Sequence, residues 1–363
     1  MENRIPSLDG LRAASILLVC LGHLCGTVNF PQIFMPLNSL GNFGVKVFFV
    51  ISGFLITTLL LSELKLTNKI NLPQFFIRRM FRLFPAFYFY ILCIAIAEYV
   101  GIISLLPGDL FHAVTYTMNY HHEREWWLNH TWSLAVEEQF YLLWPLLLTT
   151  LGRQHAKSLL LLAVLFIPCI RYWMWFEAGS SPSAMTREFQ AIADALAMGC
   201  IIAYMKEAGF TLPSCFSSRW FIVVPVAMIL VPSALYKLSP AWFYVLGQTL
   251  INVCAALMIL RYSQFNHGLS FTILNSKLAV WLGVLSYSLY LWQEPFLNSW
   301  TREWYATWPI NIVLVFICAL ISYFLIERPG LKLRKKLAAR RKKVETVNGR
   351  KKVETVNGRK SKV

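Results

Sequence analysis

The chain has 363 residues, 57% of them hydrophobic and only 14% charged, where soluble globular domains carry roughly 25% charged residues. That excludes an ordinary soluble enzyme and identifies a polytopic membrane protein. The net charge of +16 belongs to the C-terminus: residues 328–363 hold 15 Lys/Arg against Glu345 and Glu354, which leaves +3 for residues 1–327. With no folded basic module carrying base-stacking residues, no nucleic-acid partner is expected. A polybasic segment directly after a span suits the cytoplasmic face and its anionic lipids.

Hydropathy predicts an all-α bundle of about ten transmembrane helices, near 10–28, 44–62, 82–101, 132–151, 157–175, 189–205, 219–237, 242–261, 278–297 and 309–327. With both termini cytoplasmic, every clear basic cluster falls on one side: Lys65, Lys69, Arg78, Arg79 and Arg82, then Arg153 and Lys157, Lys206 and Arg219, Arg261 and Lys277, and the tail. The short, moderately apolar stretch 105–120 is read as a re-entrant or surface helix. The N-terminus carries Glu2 and Asp9 and no small-residue cleavage site, so the first span is expected to be retained. Residues 1–329 form the expected membrane domain. Residues 330–363 form a polybasic cytoplasmic tail expected to be disordered, in which Lys-Lys-Val-Glu-Thr-Val-Asn-Gly-Arg occurs twice, at 342–350 and 351–359.

Asp9, Arg12 and His23 interrupt the first span. At 100° per residue they fall within about 60° of one another, in a polar stripe about 21 Å long. Ionisable groups inside a span cost several kcal/mol each unless they face a partner or an aqueous cavity, so His23 is a candidate for catalysis or for a substrate pathway. A histidine satisfied by an interhelical hydrogen bond is the alternative. Arg79 and Arg82, in Phe75-Phe76-Ile77-Arg78-Arg79-Met80-Phe81-Arg82, are i,i+3 neighbours able to offer two guanidinium forks to a phosphate-bearing ligand such as coenzyme A; positive-inside anchoring explains them equally well.

Further along, His130-Thr131-Trp132-Ser133-Leu134-Ala135-Val136-Glu137-Glu138 puts two carboxylates near the end of a span. Glu137 should point into the bundle, where it could orient a histidine or accept a proton. Arg187 and Asp194, seven residues apart, share one helical face and are candidates for substrate binding or for an internal ion pair. His121, His122, Glu123 and His130 lack the i,i+4 spacing of a helical zinc motif, so no metal is expected. The eight cysteines show no CxxC spacing and are read as packing residues.

Five segments, in order, resemble acyltransferase family 3: Leu8-Asp9-Gly10-Leu11-Arg12 with His23; Val47-Phe48-Phe49-Val50-Ile51-Ser52-Gly53-Phe54; Arg79-Met80-Phe81-Arg82; Trp132-Ser133-Leu134 with Glu137; and Ser286-Tyr287-Ser288-Leu289-Tyr290-Leu291-Trp292. The resemblance implies an integral membrane enzyme that moves an acyl group, most often acetyl from acetyl-CoA, onto a hydroxyl of an exported or envelope carbohydrate. Such acceptors include lipopolysaccharide and exopolysaccharide, and the implied location is the inner (plasma) membrane. It also implies His23 as the essential histidine, Arg12 as its partner, Arg79 and Arg82 as the grip on the acyl donor, and Glu137 as the acidic residue after Trp-Ser-Leu.

One departure stands out. Where the family pattern has a histidine after Tyr-Leu-Trp, this chain has Gln293-Glu294-Pro295, so His23 is expected to act alone or with Glu294. The chain ends soon after the last span, which leads to the expectation that the membrane domain acts by itself or with a separate partner. A transporter or flippase is the rival reading, but it should show internal repeats, and the Arg12 and His23 pattern has no second copy.

Overall fold

The computed structural model describes residues 5–334. The tandem repeat, most of the polybasic tail and its expected disorder and lipid contacts lie outside the described residues. Among those described there is no strand. The helices are α1 (Pro6–Leu24), α2 (Leu40–Thr67), α3 (Leu72–Tyr99), α4 (Asp109–Val114), α5 (Trp126–Asn129), α6 (Thr131–Phe176), α7 (Pro182–Arg187), α8 (Phe189–Glu207), α9 (Val223–Leu238), α10 (Pro240–Trp242), α11 (Gln248–Gln264), α12 (Leu269–Leu274), α13 (Lys277–Phe296) and α14 (Ile310–Ser322).

Eight helical segments are long and apolar enough to cross a membrane. One of them, Trp126–Phe176, runs to 51 residues, or roughly 75 Å if it were one straight helix, more than twice the thickness of a bilayer core. It turns at Gly152, whose φ of 73° and ψ of 168° are non-helical, and so forms two arms that match the expected 132–151 and 157–175. Helix α13 matches the expected 278–297 but falls outside the eight, because Gln293, Glu294 and Pro295 lower the apolarity of its last turns. The stretch 105–120 holds only the six residues of α4 and a 3-10 turn at Met118–Tyr120.

Local chemistry sets the ends. Pro6 opens α1, where a missing N–H costs nothing, and Asn68 closes α2 in the left-handed conformation. Side-chain oxygens of Asn71, Ser181 and Ser276 accept backbone N–H groups at the starts of α3, α7 and α13.

The segments containing α1, α2, α8 and α11 are mostly buried, whereas those containing α3, α6, α9 and α14 leave most of their apolar surface exposed, as lipid-facing helices do. The interior helices meet backbone to backbone at glycines. A Cβ on Gly53 of α2 would lie 2.1 Å from the Leu196 carbonyl oxygen of α8, and one on Gly199 of α8 would lie 2.1 Å from that of Val50. In a membrane, where lipid is as apolar as leucine, such close approach supplies the van der Waals contact that holds helices together. A Cβ on Gly283 of α13 would similarly meet the Asp9 carbonyl oxygen of α1 at 1.9 Å, and this contact fixes α13 beside the helix that carries Arg12 and His23.

Candidate active site

Two cavities lie end to end along α1. The first, of about 80 Å³, is lined by Arg12 from α1, Ser52 from α2, Arg79 and Arg82 from α3, Glu137 from α6 and Glu327 from the end of the last helix. The sequence-predicted arginines therefore come together. The Arg79 guanidinium stacks on the Tyr141 ring at 3.4 Å from its centroid, which fixes the plane of a donor fork whose Nε has no hydrogen-bond partner. Arg78 points elsewhere and pairs with Glu63 at 3.0 Å.

Glu137 points into the bundle as expected but does not orient His23. It accepts hydrogen bonds from Ser52 Oγ at 2.7 Å and Tyr141 OH at 3.1 Å, and it belongs to the arginine cavity. The reason is depth: Glu137 sits nearly two turns inside α6, while His23 is at the far end of α1.

The second cavity, of about 400 Å³, is lined by His23, Asn42, Asn129, His130, Arg187 and Glu294 among others. Val45 and Tyr290 line both cavities, so the two abut there. Tyr290 is held by Ser133 Oγ at 2.6 Å and donates to the His130 carbonyl oxygen at 3.2 Å.

His23 Nδ1 lies 2.5 Å from Gln293 Oε1. An amide oxygen only accepts, so this contact places the proton on Nδ1 and leaves Nε2 with its lone pair. Gln293, the residue that departs from the family pattern, is thus the direct partner of His23. The His23 ring also meets Trp126 edge-on, with centroids 5.2 Å apart.

Glu294 turns the other way, to His130. Its Oε2 accepts from the His130 backbone N–H at 2.7 Å and lies 2.6 Å from His130 Nδ1, and its Oε1 accepts from Asn129 Nδ2 at 3.1 Å. His130 and Glu294 are both about 1% exposed, and His130 Nε2 has no hydrogen-bond partner. Sequence reading grouped His130 with the loop histidines and missed this pairing. The available signal was a glutamate inside a span with no partner within its own helix.

Three other expectations are corrected or refined. Arg187 and Asp194 do not share a helical face, because Glu188, with ψ of 140°, separates α7 from α8. Arg187 lines the His23 cavity and donates to Asn129 Oδ1 at 2.8 Å. Asp194 instead forms a fully buried ion pair with Arg171 at 3.0 Å and accepts from Thr249 Oγ at 2.8 Å; it lines neither cavity. Asp9, although on the same stripe as Arg12, lines neither cavity either; the α1 backbone at Asp9 is where α13 packs through Gly283.

The loop histidines have separate partners. His121 pairs with Asp109 at 3.1 Å and stacks on His112, and His122 approaches Glu188 at 3.4 Å. Among the described residues no three His, Cys, Asp or Glu are placed to hold a metal.

A model of the acyltransferase domain of the Acyl_transf_3 family matches residues 5–328. The O-acetyltransferase OatA of Staphylococcus aureus (strain NCTC 8325 / PS 47) is 30% identical over 367 residues, covering 92% of this chain and 57% of that protein. The peptidoglycan O-acetyltransferase OatA of Listeria monocytogenes serovar 1/2a is 28% identical, covering 90% of this chain and 55% of its own length. The putative peptidoglycan O-acetyltransferase YrhL of Bacillus subtilis (strain 168) is 30% identical, covering 90% and 54%. The chain therefore spans a little over half the length of these curated relatives. No solved structure matches it. With the family model matched along nearly its whole membrane-embedded length, and the quoted motifs gathered around two abutting cavities, the chain belongs to acyltransferase family 3.

Proposed function

We propose that this chain is a plasma-membrane O-acetyltransferase that carries an acetyl group from acetyl-CoA at the basic end of the bundle to a hydroxyl of an envelope carbohydrate at the His23 end. The observation that supports this reading is the pair of abutting cavities: three arginines line one, and His23 with its tautomer set by Gln293 lines the other. Peptidoglycan is the favoured acceptor, because the Listeria relative is named for acetylating it.

In this reading the basic end faces the cytoplasm, where acyl-CoA is made. Arg12, Arg79 and Arg82 bind the donor's phosphates with charge-assisted forks. A cavity of about 80 Å³ admits the slim end of a pantetheine arm and not a nucleotide, so the phosphates stay at its mouth. The thioester carbonyl advances toward Tyr290, and the acceptor hydroxyl enters the larger cavity beside His23.

The test is transfer of radiolabelled acetyl from acetyl-CoA into the glycan fraction of inverted membrane vesicles, comparing wild type with His23→Gln at matched expression. Label that depends on His23 is the expected result. Equal label in both would remove His23 from the chemistry, and substrate flux without consumption of acetyl-CoA would point to a transporter.

A further inference from the structure

The cavity that holds His23 is lined by a second imidazole, and the two rings differ in what stands behind them. His23 Nδ1 faces an amide oxygen, that of Gln293, at 2.5 Å. His130 Nδ1 faces a carboxylate, that of Glu294, at 2.6 Å. Adjacent residues of α13 thus serve one histidine each. We propose that His130, oriented by Glu294, is the general base that takes the proton of the acceptor hydroxyl, where the sequence led to the expectation that His23 acts alone or with Glu294; this rests on the acyl-transfer reading above.

The argument begins with the carboxylate. Both Glu294 oxygens already accept hydrogen bonds, from the His130 backbone N–H and from Asn129 Nδ2. A carboxylate so engaged is an acceptor toward the ring, so Nδ1 carries the proton and Nε2 carries the lone pair. That Nε2 is buried without a hydrogen-bond partner, on a ring that lines the cavity. A buried imidazole with one nitrogen tied to a carboxylate and the other left free is the arrangement that general-base catalysis by histidine requires.

The second step is charge. Taking a proton makes the ring a cation, and in a site of low dielectric that cation needs a countercharge. Glu294 supplies one to His130 in direct contact at 2.6 Å, whereas it reaches His23 only through space and the contact partner of His23, Gln293, supplies a dipole. The charged and titratable groups around His130 are Glu294 on α13, His23 on α1 and Arg187 at the end of α7, together with the hydroxyls of Tyr90 and Tyr290, whose rings contact it edge-on. Arg187 is held by Asn129. Among these groups Glu294 is the one anion.

In the transfer step the hydroxyl proton passes to His130 Nε2 as the hydroxyl oxygen bonds to the acyl carbon. The C–S bond of the thioester breaks as the new C–O bond forms. The thiolate leaves with the electron pair and recovers the proton from the His130 imidazolium. No oxidant or further reactant is required.

The same bonds tie α13 to the α5–α6 junction, as does the hydrogen bond from Trp126 Nε1 to the Glu294 backbone carbonyl at 2.8 Å. The experiment must therefore separate chemistry from folding. Initial rates of acetyl transfer from radiolabelled acetyl-CoA to glycan would be measured from pH 5.5 to 9 in inverted vesicles carrying wild type, His130→Gln or Glu294→Gln, with thermal unfolding of each purified protein. His130→Gln is expected to lower the rate by at least ~100-fold. Glu294→Gln keeps an acceptor oxygen for the ring but no charge. It is expected to lower the plateau by ~10- to 100-fold and to move the acid limb of the profile down by about one pH unit.

A purely structural pair would reduce the plateau in proportion to folded protein and leave the limb where it is, which would overturn the proposal. So would His130→Gln with a rate within ~3-fold of wild type. If His130→Gln does not fold, His130→Asn is measured in its place against the same thresholds. No transfer by wild type would refute the acyl-transfer reading itself, not the assignment of His130 within it.

Discussion

Removing Asp194 should cost more stability than removing Arg171, although the two form one ion pair. Both side chains are 0% exposed, with Arg171 Nη2 3.0 Å from Asp194 Oδ2. A third group decides the ranking: Lys46 is 5% exposed, its Nζ has no hydrogen-bond partner, and it lies within the electrostatic reach of both. Two basic side chains therefore share one anion. Arg171→Leu leaves Asp194 with the Thr249 hydrogen bond at 2.8 Å and with Lys46 as its basic neighbour. Asp194→Leu leaves the Arg171 guanidinium a buried cation with no countercharge, beside a second basic side chain. Breaking a buried pair by removing one partner costs about 3–5 kcal/mol, so Arg171→Leu belongs near the bottom of that range and Asp194→Leu at or above its top. The double variant keeps the cluster's net charge and should recover to within about 1–2 kcal/mol of wild type. At roughly 2 °C per kcal/mol for a chain of this size, the single variants lose about 6–10 °C in unfolding temperature. The assay is thermal unfolding of detergent-purified protein, with acetyl transfer expressed per folded molecule. Asp194→Leu that unfolds like wild type but loses donor or acceptor affinity would return Asp194 to the substrate site and refute the reasoning.

Three further outcomes are expected. Charge reversal at Arg79 or Arg82 should raise the KM for acetyl-CoA by at least ~10-fold and leave the acceptor KM within ~3-fold, measured by varying each substrate separately; equal effects would count against a donor clamp. Gln293→Ala removes the 2.5 Å partner of His23 and should lower kcat by about 10- to 100-fold with little change in either KM; an unchanged kcat would mean that His23 needs no orientation at Nδ1. Gly53→Ala forces a Cβ to within 2.1 Å of the Leu196 carbonyl oxygen, so α2 and α8 must part by about 1 Å, costing at least ~1–3 kcal/mol. Gly41→Ala, whose Cβ would meet nothing closer than 3.7 Å, serves as the control and should unfold like wild type.

The sequence exposed the spans because bilayer thickness imposes a length and an apolarity that a window can read without knowing any partner. It exposed the ionisable residues inside them for the same reason: Arg12, His23, Arg79, Arg82 and Glu137 stand out against an apolar background, and each lines one of the two cavities. Pairing was not legible. Ser52 meets Glu137 across 85 residues, His130 meets Glu294 across 164, and His23 meets Gln293 across 270. Helical periodicity carries no information at those separations. It misled outright at Arg187 and Asp194, where seven-residue spacing implies one face only if the helix is continuous; an extended backbone at Glu188 breaks it. Helix α13 was legible as a span although its last turns carry Gln293 and Glu294, because its first three turns are apolar.

On the proposed reading, the division into two cavities answers a conflict in electrostatics. Phosphate recognition calls for several cations close together, and a catalytic imidazole must itself become a cation. Arg187 already lines the imidazole cavity, and three further guanidiniums beside that ring would oppose the proton transfer it exists to perform. At 4 Å and an effective dielectric of about 20, each would oppose it by about 4 kcal/mol, roughly a thousandfold in rate per guanidinium. The eleven residues from Arg12 to His23 span about 16 Å of α1, and at that distance the same interaction falls to about 1 kcal/mol. The spacing also matches what the donor can bridge: an extended, uncharged arm carries the acyl group away from the phosphates that anchor it. Val45 and Tyr290, shared by both cavities, then stand where the arm must pass. Tyr290 is already engaged by Ser133 and by the His130 carbonyl, so the wall between the two electrostatic environments is built from the same residues that hold the imidazole.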